Sequence, residues 1–376
     1  MTESRIETTP TTERIFHDGE SDGLEALEAL DPEAIHSFSD LLGAMKKTAF
    51  GGRRLGDAFD ILTKMIQDPD CAVILTLSGA MTIAKMGKII CSMLDRGMVQ
   101  AVVSTGALIA HGLSEAVGKT HYKYHPSMTD AELYEKGYNR VYDTLEMELN
   151  LNHVERVVGA TLKRIEPGQI ISSEILTHEI GKTLHEDHPG PGILKSAYEQ
   201  DVPVYIPAFT DSEMGLDVSI WAMNQGRKAN PPTNPQDQSD FERWSQLRQH
   251  RPIFNPFLDL NSYTEKLLTA KRLGIFTIGG GVPRNWAQQV PPYIEILNLR
   301  LGETLTPPRF QYGVRICPEP DYWGGLSGCT YEEGVSWGKF VPKKDGGQFA
   351  EVLSDATVVW PLLMMGLLER IKKDNP

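Results

Sequence analysis

The sequence predicts a doubly wound α/β fold, Rossmann-like, with a mostly parallel sheet and helices on both faces. Three short apolar segments support this, and each runs directly into Gly, Ser or Thr. They are AVILTL (72–77) before Ser78-Gly79-Ala80, residues 100–103 before Ser104-Thr105-Gly106-Ala107, and residues 275–278 before Gly279-Gly280-Gly281. Strands that are covered on both faces have continuous apolar sequences rather than alternating ones. The three segments therefore predict strand, tight turn and helix units of one parallel sheet.

The other elements are predicted from apolar runs and their spacing. A helix should follow the first strand, because apolar residues recur at helical spacing at Ile83, Met86, Ile90 and Met93. Further strands are expected at 202–206, 312–316 and 350–353. The apolar stretch 358–368 is expected to form a buried helix that closes the chain.

One domain is expected over residues 23–376, preceded by a polar N-terminal extension, residues 1–22. The extension is Thr-rich and has too few apolar groups to offset the entropy lost on ordering. Residues 225–257 contain five prolines and many polar side chains. That composition predicts a surface excursion between core elements.

Charge and cysteine content exclude several classes of protein. The net charge of −13 argues against a nucleic-acid groove and favours cationic substrates, although acidic surfaces also serve solubility. The four cysteines form no CxxC pair, which favours a reducing, cytoplasmic location over a disulfide framework or a zinc site. We also expect no secretory signal and no membrane span, since no apolar run approaches about 18 residues.

The turns after the three strands are candidates for a nucleotide site. Ligands of open α/β sheets bind beyond the carboxyl ends of the strands, where small residues let the backbone approach a phosphate. None of the turns is a GxGxxG or GxxxxGK[ST] motif, so each one alone is equally compatible with an ordinary tight turn. The hypothesis of a nucleotide site depends on the presence of such a turn after all three strands.

The segment 332–339 combines two carboxylates, an indole and a lysine. Such a set suits an amine substrate. Glu333 could pair with an ammonium, the Trp337 face could stack on a cation, and Lys339 with a lowered pKa could attack an imine carbon. The alternative is that Lys339 is a surface lysine and Trp337 a packed aromatic.

Two groups of histidines raise the question of a metal site. They are His111, His121 and His125, and His178, His185 and His188 with Glu179 and Glu186. HxxxH spacing requires a helix, and Pro126 disfavours one at His125. We predict no metal. A serine hydrolase is also disfavoured, since no GxSxG elbow is present.

Four blocks in order resemble the deoxyhypusine synthase family, and the match extends from about Gly51 to Leu367. The blocks are PAFTD (207–211), GGGV (279–282), VSWGK (335–339), and SDA followed by VWPLL (354–363). A glutamate, Glu333, stands six residues before Lys339, as in the family. The resemblance implies a homotetramer with NAD in a Rossmann-like cleft and active sites shared across a dimer interface.

The resemblance also implies roles for individual residues. Lys339 matches the imine-forming lysine, and Glu333 and Trp337 match polyamine contacts. The cofactor-contacting positions are matched by Ser78, Gly79, Thr105, Gly106, Asp211, Gly281, Asp355 and Ala356. The implied reaction moves the 4-aminobutyl group of spermidine, with NAD, through an imine on Lys339 to an acceptor amine.

Several positions depart from the family's eukaryotic pattern and imply an altered polyamine pocket. Asn285-Trp286 replaces two histidines, Ala110-His111 replaces an acidic pair, Leu326 stands at an aspartate position, and Asp217 is displaced by one residue. We assign Trp286, His111 and Asp217 to this pocket. The departures resemble the bacterial deoxyhypusine synthase-like branch.

The acceptor is therefore expected to be putrescine, giving homospermidine. The alternative acceptor is a lysine of a translation factor, giving deoxyhypusine. Two further alternatives are a non-catalytic NAD- or polyamine-binding protein and an NAD-linked amine dehydrogenase that releases NADH.

Overall fold

A computed structural model of the chain describes residues 16–166, 168–231 and 238–374. The strands in these residues are β1 (Cys71–Leu77), β2 (Ala101–Ser104), β3 (Tyr122–Lys123), β4 (Tyr138–Val141), β5 (Thr144–Met147), β6 (Val204–Tyr205), β7 (Arg272–Ile278), β8 (Phe310–Ile316) and β9 (Gln348–Val352).

Six of these strands form one parallel sheet in the order β6-β2-β1-β7-β8-β9. Counted along the chain within this sheet, the order is 3-2-1-4-5-6, which is the Rossmann order. The order reverses between β1 and β7, which pair in register from Cys71–Arg272 to Leu77–Ile278. A crevice for ligands opens at the carboxyl ends of these two strands. The predicted fold class is confirmed.

The helices are α1 (Phe38–Lys46), α2 (Phe50–Gln67), α3 (Gly87–Asp95), α4 (Gly106–Ala116), α5 (Asp130–Glu135), α6 (Glu148–Leu162), α7 (Ser173–Asp187), α8 (Ile193–Glu199), α9 (Glu213–Ala229), α10 (Asp240–Leu247), α11 (Pro256–Thr269), α12 (Gly281–Ala287), α13 (Val290–Leu301), α14 (Tyr331–Ser336) and α15 (Ala356–Asp374). No described helix is both long enough and apolar enough to cross a membrane.

Two apolar cores cover the two faces of the sheet. Strand β1 shows the division, because Val73, Leu75 and Leu77 belong to one core and Ile74 belongs to the other. The first core packs α1 to α4, α6 to α9 and α15 against the sheet. The second core packs α11 to α14 against the opposite face. Burying one large apolar side chain stabilises the fold by about 1.5–3 kcal/mol. Because β1 buries such side chains on both of its faces, its central position in the sheet is favoured.

All six predicted strands are present, although β6 has two residues only. The helix predicted from Ile83 begins later, at Gly87, because residues 81–85 form turns and Lys85 has a positive φ of 66°. The closing helix is longer than predicted.

The predicted excursion, 225–257, is largely helical where it is described. Helix α9 continues to Ala229 and α10 follows, while residues 232–237 lie outside the described residues. The chain then returns to the body, where the Ile171 N–H donates to the Ile253 carbonyl (2.9 Å). Of the predicted extension, residues 16–22 are exposed and residues 1–15 lie outside the described part.

A small antiparallel sheet, in the order β3-β5-β4, lies between α4 and α6 in the chain. The sequence did not predict this small sheet. Its strands are two to four residues long and too short to show a clear alternation. This sheet carries Glu146 against helix α4.

Candidate active site

A glycine turn, Gly279-Gly280-Gly281, lies at the carboxyl end of β7, next to the end of β1. Ser78 Oγ accepts the Gly280 N–H (2.8 Å) and donates to the Ile278 carbonyl (3.4 Å). A Cβ atom on Gly279, whose φ is +80°, would lie 2.2 Å from Ser78 Oγ. The turn therefore requires glycine and leaves its backbone open to a ligand.

The carboxyl end of β2 contributes the start of helix α4. Thr105 caps this helix, because its Oγ1 accepts the Leu108 N–H (3.4 Å), and its own N–H donates to the Leu77 carbonyl of β1 (3.2 Å). A Cβ on Gly106 would lie 2.4 Å from Ser212 Oγ, so Asp211 and Ser212 adjoin this helix start. The free N–H groups and positive end of α4 suit a phosphate.

Asp355 and Ala356 lie at the far end of the same edge, after β9. Asp355 Oδ1 accepts the N–H (2.8 Å) and the hydroxyl (3.0 Å) of Thr357 at the start of α15. Strand β8 separates β9 from β7, so about 10 Å divides this position from the glycine turn. The predicted cofactor positions thus form a row along one edge, and their glycine turn, helix start and hydroxyl groups fit a dinucleotide such as NAD.

Lys339 lies in a cavity of 410 Å³ together with Glu333 and Trp337. Its Nζ donates to Asn285 Oδ1 (3.3 Å) and lies 5.9 Å from the centre of the Trp337 ring. Helix α14 supplies Glu333, and Thr330 caps this helix by accepting the Glu333 N–H (3.0 Å). The residues of segment 332–339 that were predicted to act together therefore share one cavity.

Burial lowers the pKa of Lys339, and the nearby Arg284 guanidinium lowers it further, while Cys329 and Glu333 oppose them. Arg284 is itself 3% exposed, and its Cζ lies 4.9 Å from the centre of the Tyr331 ring. Its Nη1 donates to the Leu326 carbonyl (3.3 Å). A lowered pKa increases the fraction of Lys339 that holds a free lone pair, which a nucleophilic amine needs.

The lysine cavity adjoins the glycine turn. Helix α12 begins at Gly281 and presents Asn285 to Lys339 four residues later, about 6 Å along the helix. A Cβ on Gly280 would lie 2.5 Å from Ser327 Cα, in the loop whose Leu326 also lines the cavity. A group held at the glycine turn would therefore face the cavity that contains Lys339.

The other predicted substrate residues lie elsewhere in the chain. The Trp286 ring packs against the rings of Tyr205 and Tyr263, with ring centres 5.5 Å and 4.9 Å apart. Its neighbour Asn285 lines the lysine cavity instead. Asp217 lies on α9, where burial raises its pKa to about 6, with a smaller contribution from nearby carboxylates. The roles assigned to Trp286 and Asp217 stay predictions. Asn285 was missed as a lysine partner, although its replacement of a histidine was a signal.

His111 does not line the lysine cavity either. It lies with His121 and Glu146 in a cluster whose ligand-type atoms are all within 4.8 Å of one another. His125, of the same predicted group, is exposed and hydrogen-bonds Ser127. The sequence did not predict that two of these histidines meet, because His111 lies on α4 and His121 lies beyond it, so they do not share one helix at HxxxH spacing.

Comparisons with known proteins agree on one family. The family model for deoxyhypusine synthase matches residues 40–367. "Probable deoxyhypusine synthase 2" of Methanosarcina acetivorans is 31% identical over 336 residues, which cover 89% of this chain and 87% of that protein. "Deoxyhypusine synthase-like protein" of Chlorobaculum tepidum is 32% identical over 330 residues, which cover 87% and 85%.

The fold is also found among solved structures. The crystal structure of a "putative deoxyhypusine synthase" from Entamoeba histolytica matches with a TM-score of 0.54 and 12% identity. The match covers 91% of this chain and 97% of that one, so the likeness extends over the whole fold.

Proposed function

The chain belongs to the deoxyhypusine synthase family, which uses NAD, and we propose that it transfers the 4-aminobutyl group of spermidine to a second amine. One observation carries the proposal. Lys339, with a lowered pKa, shares a cavity with Glu333 and Trp337, beside the turn that fits the cofactor. A protein that only binds NAD or a polyamine has no need of a nucleophilic lysine at that place.

The glycine turn after β7 and the start of α4 would hold NAD, which would supply a hydride acceptor for the carbon next to the secondary nitrogen of spermidine and a hydride donor at the end of the cycle. Lys339 Nζ attacks the resulting C=N carbon, and the bond from that carbon to the leaving 1,3-diaminopropane breaks. Lys339 then holds the aminobutyl group as an imine. The acceptor amine attacks the same carbon and releases Lys339, which leaves a new C=N bond that hydride from the bound cofactor would reduce.

Glu333 and Trp337 stabilise positive charge in this scheme. The Glu333 carboxylate lines the cavity and, among the described residues, has no ion-pair partner, so it is available to an ammonium of the polyamine. The Trp337 face lies toward Lys339 and would hold the cationic C=N group. Both interactions strengthen as positive charge develops next to nitrogen.

We propose putrescine as the acceptor, with homospermidine as the product. The cavity departs from the family's eukaryotic pattern at Asn285 and Leu326, both of which line it. A relative at 32% identity carries the name "deoxyhypusine synthase-like" rather than that of the synthase itself. A lysine of a translation factor is the second candidate, and it shares every step except the last.

We also propose that the site is completed by a second copy of the chain, in a homotetramer. Trp337 is 64% exposed, Leu326, which lines the same cavity, is exposed too, and so are Tyr322 and Trp323, which precede Leu326 closely in the sequence. Large apolar groups exposed together are typical of surfaces that a partner covers.

Mass spectrometry of the products tests the proposal. The enzyme is incubated with NAD, spermidine and putrescine, and in parallel with a translation-factor acceptor. Homospermidine with 1,3-diaminopropane supports the diamine acceptor, and modified protein alone supports the second candidate. Lys339→Ala should abolish both, while Lys343→Ala, which removes an exposed lysine paired with Glu332 (2.8 Å), should abolish neither. No aminobutyl product in either tube, or NADH in excess over enzyme, would contradict the proposal.

A further inference from the structure

Strand β8 contains a buried cation, Arg315, which is the one charged residue of the strand. Arg315 is 5% exposed, and a charged side chain is rarely buried unless it is paired. Its partner is Glu351 of β9, which lies directly opposite in the register and whose Oε2 accepts from Arg315 Nη2 (3.2 Å). The ion pair therefore lies near the carboxyl ends of β8 and β9.

The pair faces the second apolar core, on the side of the sheet that carries the lysine cavity. Side chains alternate between the two faces along a strand, and Val314 and Ile316 belong to the first core. Arg315 therefore points to the opposite face, where α11 to α14 pack. Gly313 shares that face, and a Cβ atom on it would lie 2.8 Å from the Tyr331 ring of α14. The ion pair thus lies on the same side of the sheet as the start of α14.

Both members of the pair hold the chain where it enters α14. Arg315 Nη1 donates to the Ser327 carbonyl, in the loop before the helix. Glu351 Oε1 accepts the N–H of Tyr331, the first residue of the helix (2.5 Å). A carboxylate placed there accepts a free N–H group and is favoured by the helix dipole. One guanidinium and one carboxylate therefore fix a loop and the helix start that follows it.

The loop before α14 borders both of the sites described above. On the cofactor side, a Cβ on Gly280 would lie 2.5 Å from the Ser327 Cα atom, so the backbone of the loop packs against the glycine turn. On the other side, the loop residues Leu326, Cys329 and Thr330 line the lysine cavity. A shift of this loop would therefore change the shape of the cavity.

Helix α14 has six residues, and an isolated helix of that length is not stable in water. Its position depends on the groups that hold it. The Tyr331 side chain is fully buried, and its hydroxyl donates to Thr277 Oγ1 (2.8 Å). Thr330 Oγ1 accepts the Glu333 N–H, and Glu351 accepts the Tyr331 N–H. The place of Glu333 is thus set in part by the ion pair, neither member of which is among the described residues that line the cavity.

Lys339 has an anchor that is independent of α14. Its carbonyl accepts the N–H of Phe310, the first residue of β8 (3.0 Å), and the Val341 N–H donates to the Phe310 carbonyl (2.9 Å). Loss of the ion pair should therefore displace Glu333 more than it displaces Lys339.

We infer that Arg315 and Glu351 are positioning residues of the proposed transfer and that they place Glu333 for an ammonium of the polyamine. The inference rests on the proposed function. The two residues act through the loop and the helix start that they hold. A displacement of a binding group by about 1 Å can cost about 10²-fold in rate. An ion pair that only stabilised the sheet would leave spermidine binding unchanged in any variant that folds.

Calorimetry of spermidine binding without NAD, so that no turnover occurs, tests the inference. Glu351→Gln keeps the shape of the side chain and removes its charge, and it should raise the Kd for spermidine by about tenfold. Arg315→Met releases the loop as well as the helix start, so it should raise Kd by about tenfold or more. Asp68→Asn is the matched control, because it neutralises a carboxylate paired with Arg272 (2.6 Å) at the opposite end of the sheet, and it should leave Kd unchanged.

A double-mutant cycle separates positioning from general stability. If Glu351 acts through Glu333, Glu351→Gln should raise Kd by less than about twofold when Glu333→Gln is already present. An undiminished effect in that background would overturn the inference, and so would an unchanged Kd in the Glu351→Gln single variant. Thermal melting followed by circular dichroism confirms that each variant is folded. If Arg315→Met does not fold, Glu351→Gln and the cycle decide alone.

The reactivity of Lys339 provides a second readout. Butanal, which carries no charge for Glu333 to bind, is incubated with the protein and cyanoborohydride, and peptide mass spectrometry measures the label on Lys339. The label should fall by less than about twofold in Glu351→Gln, because Lys339 keeps its anchor on β8. A loss of labelling as large as the loss of spermidine binding would overturn the inference.

The failures can be told apart. If the wild-type protein binds spermidine but forms no aminobutyl product, the proposed transfer is wrong, and the binding data still decide whether the ion pair places Glu333. If transfer occurs and Glu351→Gln binds spermidine as tightly as wild type, only the inference is wrong. If the wild-type protein does not bind spermidine, both are wrong.

Discussion

Replacing Glu146 by glutamine should destabilise the fold by about 3 kcal/mol at pH 7. The pKa of this carboxyl falls from its ordinary 4.5 to about 2, mainly through hydrogen bonds from His111, His121 and Asn150 that outweigh the effect of burial. At roughly 1.36 kcal/mol for each pKa unit, the folded chain favours the ionised carboxyl by about 3 kcal/mol. Glutamine keeps the shape but is neutral, as the protonated acid is, so it loses this preference.

The sign of the pH dependence follows from the direction of the shift. A carboxyl whose pKa is lower in the folded state stabilises the fold fully above its unfolded value, near 4.5, and loses that contribution as the pH falls toward about 2. The difference in the free energy of unfolding between wild type and Glu146→Gln should therefore be constant from pH 7 to pH 5 and become smaller at pH 3.

Urea unfolding at fixed protein concentration, followed by tryptophan fluorescence at pH 7, 5 and 3, measures this difference. Glu186→Gln is the matched control, because it removes an exposed carboxylate paired with Arg164 (2.6 Å) and should cost less than about 1 kcal/mol. A loss below about 1 kcal/mol for Glu146→Gln at pH 7, or a loss that is unchanged at pH 3, would refute the reasoning.

Four further outcomes are expected. Glu333→Gln should raise KM for spermidine by about 10–100-fold in steady-state assays, because it removes a charged hydrogen-bond partner in the cavity. Gly280→Ala should weaken NAD binding by about tenfold or more in calorimetry, because the new Cβ would lie 2.5 Å from the neighbouring loop's backbone. Burial and Arg284 lower the pKa of Lys339, so Arg284→Met should move the acid limb of the pH–kcat/KM profile to higher pH, and an unmoved limb contradicts that cause. Asp217 has a pKa raised to about 6 by burial, so ionisation above that pH costs stability; Asp217→Asn should melt at higher temperature than wild type at pH 8, with no difference below about pH 4.

The sequence predicted the main sheet because its strands are continuous apolar runs that end in small residues. It predicted the group of Glu333, Trp337 and Lys339 because these lie within seven consecutive positions on and just after one short helix. Such local features depend little on how distant parts of the chain are arranged.

The contacts that were missed join positions far apart in the sequence. Asn285 meets Lys339 across 54 positions, and His111 meets Glu146 across 35. The second contact depends on the small sheet, whose strands are too short for a periodic signal. The late start of α3 depends on the positive φ of Lys85, which the helical spacing of nearby apolar residues does not reveal.

Trapping the covalent intermediate tests the central claim, that Lys339 carries the aminobutyl group. The enzyme is incubated with NAD and spermidine, without an acceptor, and reduced with cyanoborohydride before peptide mass spectrometry. We predict a 4-aminobutyl group on Lys339 that requires both NAD and spermidine. An unmodified Lys339 in a preparation that still forms transfer product, or the group on a different lysine, would contradict the account.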